Sequence, residues 1–239
     1  MDLLVTSEWL AGELGADDLV VIDATVYLTM GPNGYESESG RTKFEEAHIP
    51  GARFGDLTGD LCDVDSPDRF ALPAPADLAA AFERLGVRDG SRVVLYDDNG
   101  AMWAARVWFM LRWLGFDDAA ILDGGMRVWR DEGRPTEAGA AEDAAAAAGS
   151  LTVSLRPRLV ADKDEVMAAM ADGATCLIDA LPAPVFNGEV APYGRPGHIP
   201  SAINVSAAGM IDQDTGRFRP LDDVRHHFPE RPEARVVAY

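Results

Sequence analysis

Ala47-His48-Ile49-Pro50-Gly51-Ala52 returns 150 residues later as Gly197-His198-Ile199-Pro200-Ser201-Ala202, and this pair decides how the chain is read. Upstream of it, Val20-Val21-Ile22-Asp23-Ala24 returns as Cys176-Leu177-Ile178-Asp179-Ala180. Downstream, Ser91-Arg92-Val93-Val94-Leu95-Tyr96 returns as Ala234-Arg235-Val236-Val237-Ala238-Tyr239. The three offsets, 156, 150 and 143, drift slowly, as differing loop lengths would make them. Three landmarks repeated in one order mean two copies of one folding unit. Between the copies, Glu137 to Ser150 is mostly Ala with Gly, Glu and Asp, and almost without large apolar side chains. Such a stretch reads as a solvated linker. The expected domains are therefore 1–136 and 151–239, with the linker at 137–150.

Each copy alternates strand and helix. Leu19 to Asp23 is a short apolar run rich in β-branched residues, which suits a buried parallel strand. Pro75 to Leu85 reads as a helix, with Pro in its first turn and Gly86 just past its end. Arg92 to Tyr96 is a second buried strand and Ala119 to Leu122 a third. Met102 to Leu114 is apolar on nearly every face, broken only by Arg106 and Arg112, so a helix packed deep against a sheet is expected there. Asp123-Gly124-Gly125 turns into a short helix through Trp129, and Leu221 to Phe228 predicts one more helix. The alternation gives an α/β fold whose parallel sheets are flanked by helices.

Charge excludes some functions. The 239 residues carry 21 Lys and Arg against 40 Asp and Glu, a formal net charge of −19. A surface this acidic repels phosphate backbones and anionic membranes, so neither nucleic acid nor membrane is an expected partner. No basic region precedes an apolar run at Met1, and no apolar stretch approaches the ~20 residues of a membrane helix. Two cysteines, Cys62 and Cys176, make no disulfide framework and no zinc spacing. A cytoplasmic protein without a metal is the expectation.

Together the strand ending in Asp, the His-Ile-Pro turn, Arg92 to Tyr96, Ala104-Ala105-Arg106-Val107-Trp108 and Leu122-Asp123-Gly124-Gly125-Met126-Arg127-Val128-Trp129 resemble the tandem-domain rhodanese family. That family comprises thiosulfate and 3-mercaptopyruvate sulfurtransferases. The resemblance covers nearly the whole chain and implies two rhodanese-like domains, the second incomplete. It also implies chemistry in the second copy, at a cysteine that opens the loop after the strand matching Arg235 to Tyr239. Amides leading into a helix N-terminus would lower that thiol's pKa. The thiolate would take sulfane sulfur from a small anionic donor and pass it, as a persulfide, to a thiophilic acceptor, with no cofactor. The expected cysteine would follow Tyr239, so no catalytic residue is assigned within these 239 residues, and the chain as written is expected to be inactive. A non-catalytic binding or regulatory protein is the alternative. That reading requires Tyr239 to be the natural C-terminus, and it predicts a partner or dimer covering a bared sheet face.

Other candidates are weighed against blander roles. In the first copy the corresponding loop is Asp97-Asp98-Asn99-Gly100, whose two carboxylates suit a helix N-terminus and whose expected role is structural. An aspartyl nucleophile is the lesser alternative. Cys176 opens an apolar strand and reads as core. Cys62 lies among carboxylates, which should raise its pKa. Asp56, Asp60, Asp63, Asp65 and Asp68 lack the EF-hand spacing and read as solvated. His48 and His198 recur in both copies, which points to ring nitrogens pinning loop backbone. His226 and His227 are given no chemistry. By the resemblance, substrate arginines would follow the strand-ending Asp, where this chain has Leu181 and Val185. Arg195 and Asn187 are the remaining substrate-binding candidates. The loss favours thiosulfate over 3-mercaptopyruvate, whose carboxylate wants a paired guanidinium.

Overall fold

The computed structural model describes residues 1–31, 34–140, 150–172, 174–230 and 235–239. It divides into two compact units. The first comprises Met1–Leu28, Ser37–Pro157 and Thr215–Arg217, the second Thr29–Glu36, Arg158–Asp214 and Phe218–Tyr239. The strands in chain order are β1 (Leu4–Val5), β2 (Leu19–Asp23), β3 (Val26–Gly31), β4 (Gly34–Ser39), β5 (Arg53–Phe54), β6 (Arg92–Tyr96), β7 (Ala119–Leu122), β8 (Cys176–Asp179), β9 (Ile203–Asn204) and β10 (Val236–Ala238). The α-helices are α1 (Ser7–Glu13), α2 (Arg41–Glu46), α3 (Pro75–Arg84), α4 (Met102–Leu114), α5 (Gly125–Asp131), α6 (Lys163–Asp172), α7 (Ala183–Phe186) and α8 (Leu221–Val224). Among the described residues no helix is long and apolar enough to cross a membrane.

The first unit is built on a five-stranded sheet of order β1-β7-β6-β2-β5, with each neighbouring pair parallel. Val20 to Asp23, Val93 to Tyr96 and all of β7 are buried, which is why these runs read as continuously apolar. Helix α4 lies against β6 and β7 and buries Trp103, Ala104, Val107, Met110, Leu111, Trp113 and Leu114. A whole Leu or Phe buried in this way contributes about 1.5–3 kcal/mol. Gly115 closes α4 at φ +97°, where a Cβ would meet the Ser154 carbonyl oxygen. β3 and β4 form a separate two-stranded sheet that the sequence reading does not anticipate.

The second unit repeats the plan with a three-stranded sheet of order β10-β8-β9, again parallel. Val236, Val237 and Ala238 stand opposite Cys176, Leu177 and Ile178, as Val93, Val94 and Leu95 stand opposite Val20, Val21 and Ile22. Leu177 packs with Ala169 and Ala202, and Cys176 with Ile178 and Val205. Cys176 is thus a core residue of β8.

Two features depart from the sequence reading. The single helix expected over Leu221–Phe228 is α8 followed by a 3-10 turn, Arg225–His227, with Phe228 extended at φ −94°, ψ 143°. Pro229 explains this, because a residue before proline is driven out of the helical region. The first unit also runs on to Pro157, past residue 150. Leu151 N–H donates to Glu83, Thr152 bonds Asp89, Ser154 N–H donates to the Leu114 carbonyl, and Arg156 pairs with Asp117. Upstream, His48 and Glu137 form a two-residue antiparallel bridge, while 141–149 of the expected linker lie outside the described residues.

Candidate functional site

In parallel α/β sheets, chemistry gathers at the carboxyl ends of the strands. Here β2 and β8 each end in a buried Asp, Asp23 and Asp179, and β6 and β10 each run into a tyrosine, Tyr96 and Tyr239. Asp23 accepts the Thr25 N–H at 2.8 Å, and Asp179 accepts the Leu181 N–H at 2.8 Å. Ala24 N–H donates to the Tyr96 carbonyl and Ala180 N–H to the Tyr239 carbonyl, both at 2.9 Å. The tyrosine hydroxyls accept the amides of the His-Ile-Pro turn, Ile49 at 3.3 Å and Ile199 at 2.8 Å. Each hydroxyl also bonds its strand-ending carboxyl, Tyr96 to Asp23 and Tyr239 to Asp179.

The two histidines do the same work in each copy. His48 Nδ1 lies 2.8 Å from the Phe44 carbonyl oxygen and its ring stacks on Phe44 at 4.0 Å. His198 Nδ1 lies 2.8 Å from the Phe186 carbonyl oxygen and stacks on Phe186 at 3.6 Å. Both rings fasten backbone, and neither is aimed at a nucleophile.

After Tyr96 the chain turns through Gly100 and Ala101, at φ +70° and +64°, into α4. This winding points four backbone N–H groups at the Asp97 carboxylate: Asn99 and Ala101 at 2.8 and 2.9 Å, Trp103 and Ala104 at 2.8 and 2.9 Å. Burial pushes the Asp97 carboxyl up and the amides pull it down. Gly125 approaches so closely that a Cβ there would lie 2.2 Å from the Asp97 carbonyl oxygen. Only Asp97 of the two loop carboxylates caps α4. The Asp98 side chain instead pairs with Arg130 at 2.5 Å, drawn away by the guanidinium on α5. Next to them is a cavity of about 60 Å³ lined by Asp23, Thr25, Tyr27, Lys43, Asp98 and Arg130. Asp23 is raised to about 6, chiefly by burial, with Thr25 and Tyr96 opposing.

The second copy places the substrate candidates on its exposed rim. Asn187 follows α7, and its side chain donates to Glu189 at 3.1 Å. Arg195 is exposed and has no hydrogen bond or ion pair among the described residues. Leu181 and Val185 flank the same loop and are half-buried. Asn204, which the sequence reading passes over, ties the loop down by donating to the Asp179 and Leu181 carbonyls at 3.1 and 2.8 Å. The repeat carried no signal for it, since Asn204 lies past the repeated landmark and the corresponding residue of the first copy is Phe54.

Cys62 is raised by burial first and by Asp63 third, so desolvation rather than the neighbouring carboxylates dominates. The acidic loop closes on itself, with Asp56 accepting from Thr58 and Asp63 from Asp65. Among the described residues no three His, Cys, Asp or Glu side chains converge on a metal-sized point.

Comparison with known proteins bears on the family and the fold. The family model described as rhodanese-like domain matches residues 6–132. A probable 3-mercaptopyruvate sulfurtransferase of Pseudomonas aeruginosa is 34% identical over 248 residues, covering 99% of this chain and 83% of that protein. A thiosulfate sulfurtransferase of Gallus gallus is 31% identical over 236 residues, covering 95% of this chain and 78% of its own. The crystal structure of SseA from Escherichia coli, a 3-mercaptopyruvate sulfotransferase with the rhodanese fold, matches at TM-score 0.85 and 29% identity, covering 100% of this chain and 88% of that one.

Proposed function

The chain belongs to the rhodanese family of sulfurtransferases, and from that footing we propose that it moves sulfane sulfur from thiosulfate, ahead of 3-mercaptopyruvate, to a thiophilic acceptor. The observation that carries this is the Asp97 cradle. It is what a loop of this family does around the first residue after its strand: four N–H groups concentrate on one anionic side chain. Tyr239 makes the same three bonds as Tyr96, so a residue following it would occupy the place that Asp97 has after Tyr96. The proposed nucleophile is a cysteine there.

Amides in that arrangement favour a thiolate over a thiol. The thiolate attacks the outer sulfur of thiosulfate, a new S–S bond forms, and sulfite leaves with the electron pair of the broken bond. The persulfide anion stays in the same N–H groups. A nucleophilic acceptor then takes the outer sulfur and the thiolate is restored. In the first domain a carboxylate already fills the cradle and cannot carry sulfur, so that domain's proposed role is support. Arg195 is the proposed contact for the anionic donor, with Asn187 beside it. Leu181 and Val185 offer a carboxylate no paired donor, which supports the preference for thiosulfate, although relatives are named for either substrate. The proposed setting is cytoplasmic, in keeping with two free thiols.

The test is a comparison of kcat/KM for thiosulfate and 3-mercaptopyruvate with cyanide as acceptor, using protein made from its native gene. Thiosulfate should be the better donor, and Arg195→Ala should raise KM more than it lowers kcat. A better rate with 3-mercaptopyruvate would reverse the substrate order. No turnover of either donor would favour a non-catalytic binding role, for which the exposed Val236 on β10 is the supporting observation.

A further inference from the structure

Thr29–Glu36 lies in the sequence of the first copy yet belongs to the second compact unit. It supplies the outer ends of β3 and β4, and these meet the loop 187–198 that carries Asn187 and Arg195. Gly34, at φ +113°, comes so close to this loop that a Cβ on it would run into the Pro192 carbonyl oxygen. Beside it the Tyr35 ring lies 5.9 Å from the Tyr193 ring, tilted by 51°, a spacing at which aromatic pairs attract. Pro192 is buried, whereas Ala191, Tyr193, Gly194, Arg195 and Pro196 are all exposed. The outer stretch of the loop is therefore anchored at the residue that β4 touches.

The rest of the loop fastens itself. At its base a Cβ on Gly188 would lie 3.0 Å from the Gly197 nitrogen, and Val190 N–H donates to the Pro184 carbonyl at 3.2 Å. At its tip Gly194 N–H donates to the Ala191 carbonyl at 3.1 Å, closing a turn around Pro192 and Tyr193. Arg195 follows that turn directly and precedes Pro196, which disfavours helical backbone at Arg195. Its guanidinium has no hydrogen bond or ion pair among the described residues. No side-chain partner holds it, so its place depends on the loop backbone.

Building on the donor role proposed for Arg195, we infer that Gly34 and Tyr35 are positioning residues for the donor. They brace the Ala191–Gly194 turn from outside the loop and so hold Arg195 ready for a thiosulfate anion. Without the brace, the turn and the arginine must order themselves when the donor binds, and that ordering costs affinity. The sulfur-transfer step itself is untouched. The contact is ring on ring, so phenylalanine can replace Tyr35 and alanine cannot.

Steady-state kinetics with thiosulfate and cyanide, on protein expressed from its native gene, read the brace. Tyr35→Ala should raise KM about five-fold while kcat stays within about two-fold, and Tyr35→Phe should restore the wild-type KM. In an Arg195→Ala background, Tyr35→Ala should add nothing to KM, because the brace acts through the guanidinium. Hydrogen exchange reads the loop without turnover: the Gly194 amide should exchange about three-fold faster or more in Tyr35→Ala. If Tyr35→Ala does not fold, Tyr193→Ala removes the same contact from its exposed side. An unchanged Gly194 exchange rate, or a KM effect that persists in full without Arg195, overturns the positioning role. A wild-type KM in Arg195→Ala alone overturns it differently, by removing the donor role on which it builds.

Discussion

Tyr239 holds Ile199 as Tyr96 holds Ile49: each phenol oxygen accepts the amide of the isoleucine in a His-Ile-Pro turn, at 2.8 and 3.3 Å. The pairing ties the end of a strand to a loop 40 or more residues earlier, and it recurs because the whole unit is duplicated. Tyr96 is fully buried, so Tyr96→Phe strands the Ile49 N–H and the Asp23 carboxyl without a phenol. We expect a loss of about 1–3 kcal/mol in urea unfolding. An unchanged midpoint would show that these bonds are replaced locally.

Asp97→Ala should be more damaging than Asp97→Asn. Alanine orphans four amides at once, whereas asparagine keeps one oxygen that can accept from two of them. Losses of about 3 kcal/mol or more for alanine, and less for asparagine, are expected from denaturant unfolding. Equal losses would mean that the charge, not the bonding, matters.

Gly125→Ala puts a Cβ 2.2 Å from the Asp97 carbonyl oxygen at φ +55°, where neither atom is the flexible end of a side chain. About 2–4 kcal/mol of destabilisation should follow. Gly90→Ala is the control, since nothing lies within 4 Å of its Cβ. The thermal midpoints of the two variants should separate clearly, and matching midpoints would contradict the close approach.

Asp23 gives stability a pH dependence of unusual sign. Its carboxyl is raised from 3.8 to about 6 in the folded protein, so the folded state holds a proton that the unfolded chain has released. That contribution is complete below pH 3.8 and is lost as pH rises through about 6. Its size is on the order of 3 kcal/mol. Subtracting Asp23→Asn stability from that of the wild type, pH by pH, should leave a difference that falls between these limits. A difference that rises with pH would place the Asp23 carboxyl below its ordinary value.

The parts of this fold legible in the sequence are those fixed by burial and repetition. Val20 to Asp23, Val93 to Tyr96 and Ala119 to Leu122 are apolar because both sheet faces are covered, and they read directly as strands. His48 and His198 were readable as backbone fasteners from their recurrence alone. β4 escaped because Tyr35 to Ser39 carry Glu36 and Glu38 on a half-exposed strand with no apolar run, which left the apolar Val26 to Met30 of β3 without a visible partner. The Asp98–Arg130 pair joins residues 32 apart and leaves no local pattern. Residues 151 to 157 read as the start of a second domain, and the bonds of Leu151, Thr152, Ser154 and Arg156 attach them to the first unit.

The most direct test of the account is a peptide map of protein expressed from its native gene, after incubation with thiosulfate and without reductant. The account predicts a gain of about 32 Da, one sulfur, on a cysteine directly following Tyr239, with Cys62 and Cys176 unchanged. Sulfur carried on Cys62 or Cys176, or another residue found after Tyr239, would contradict it.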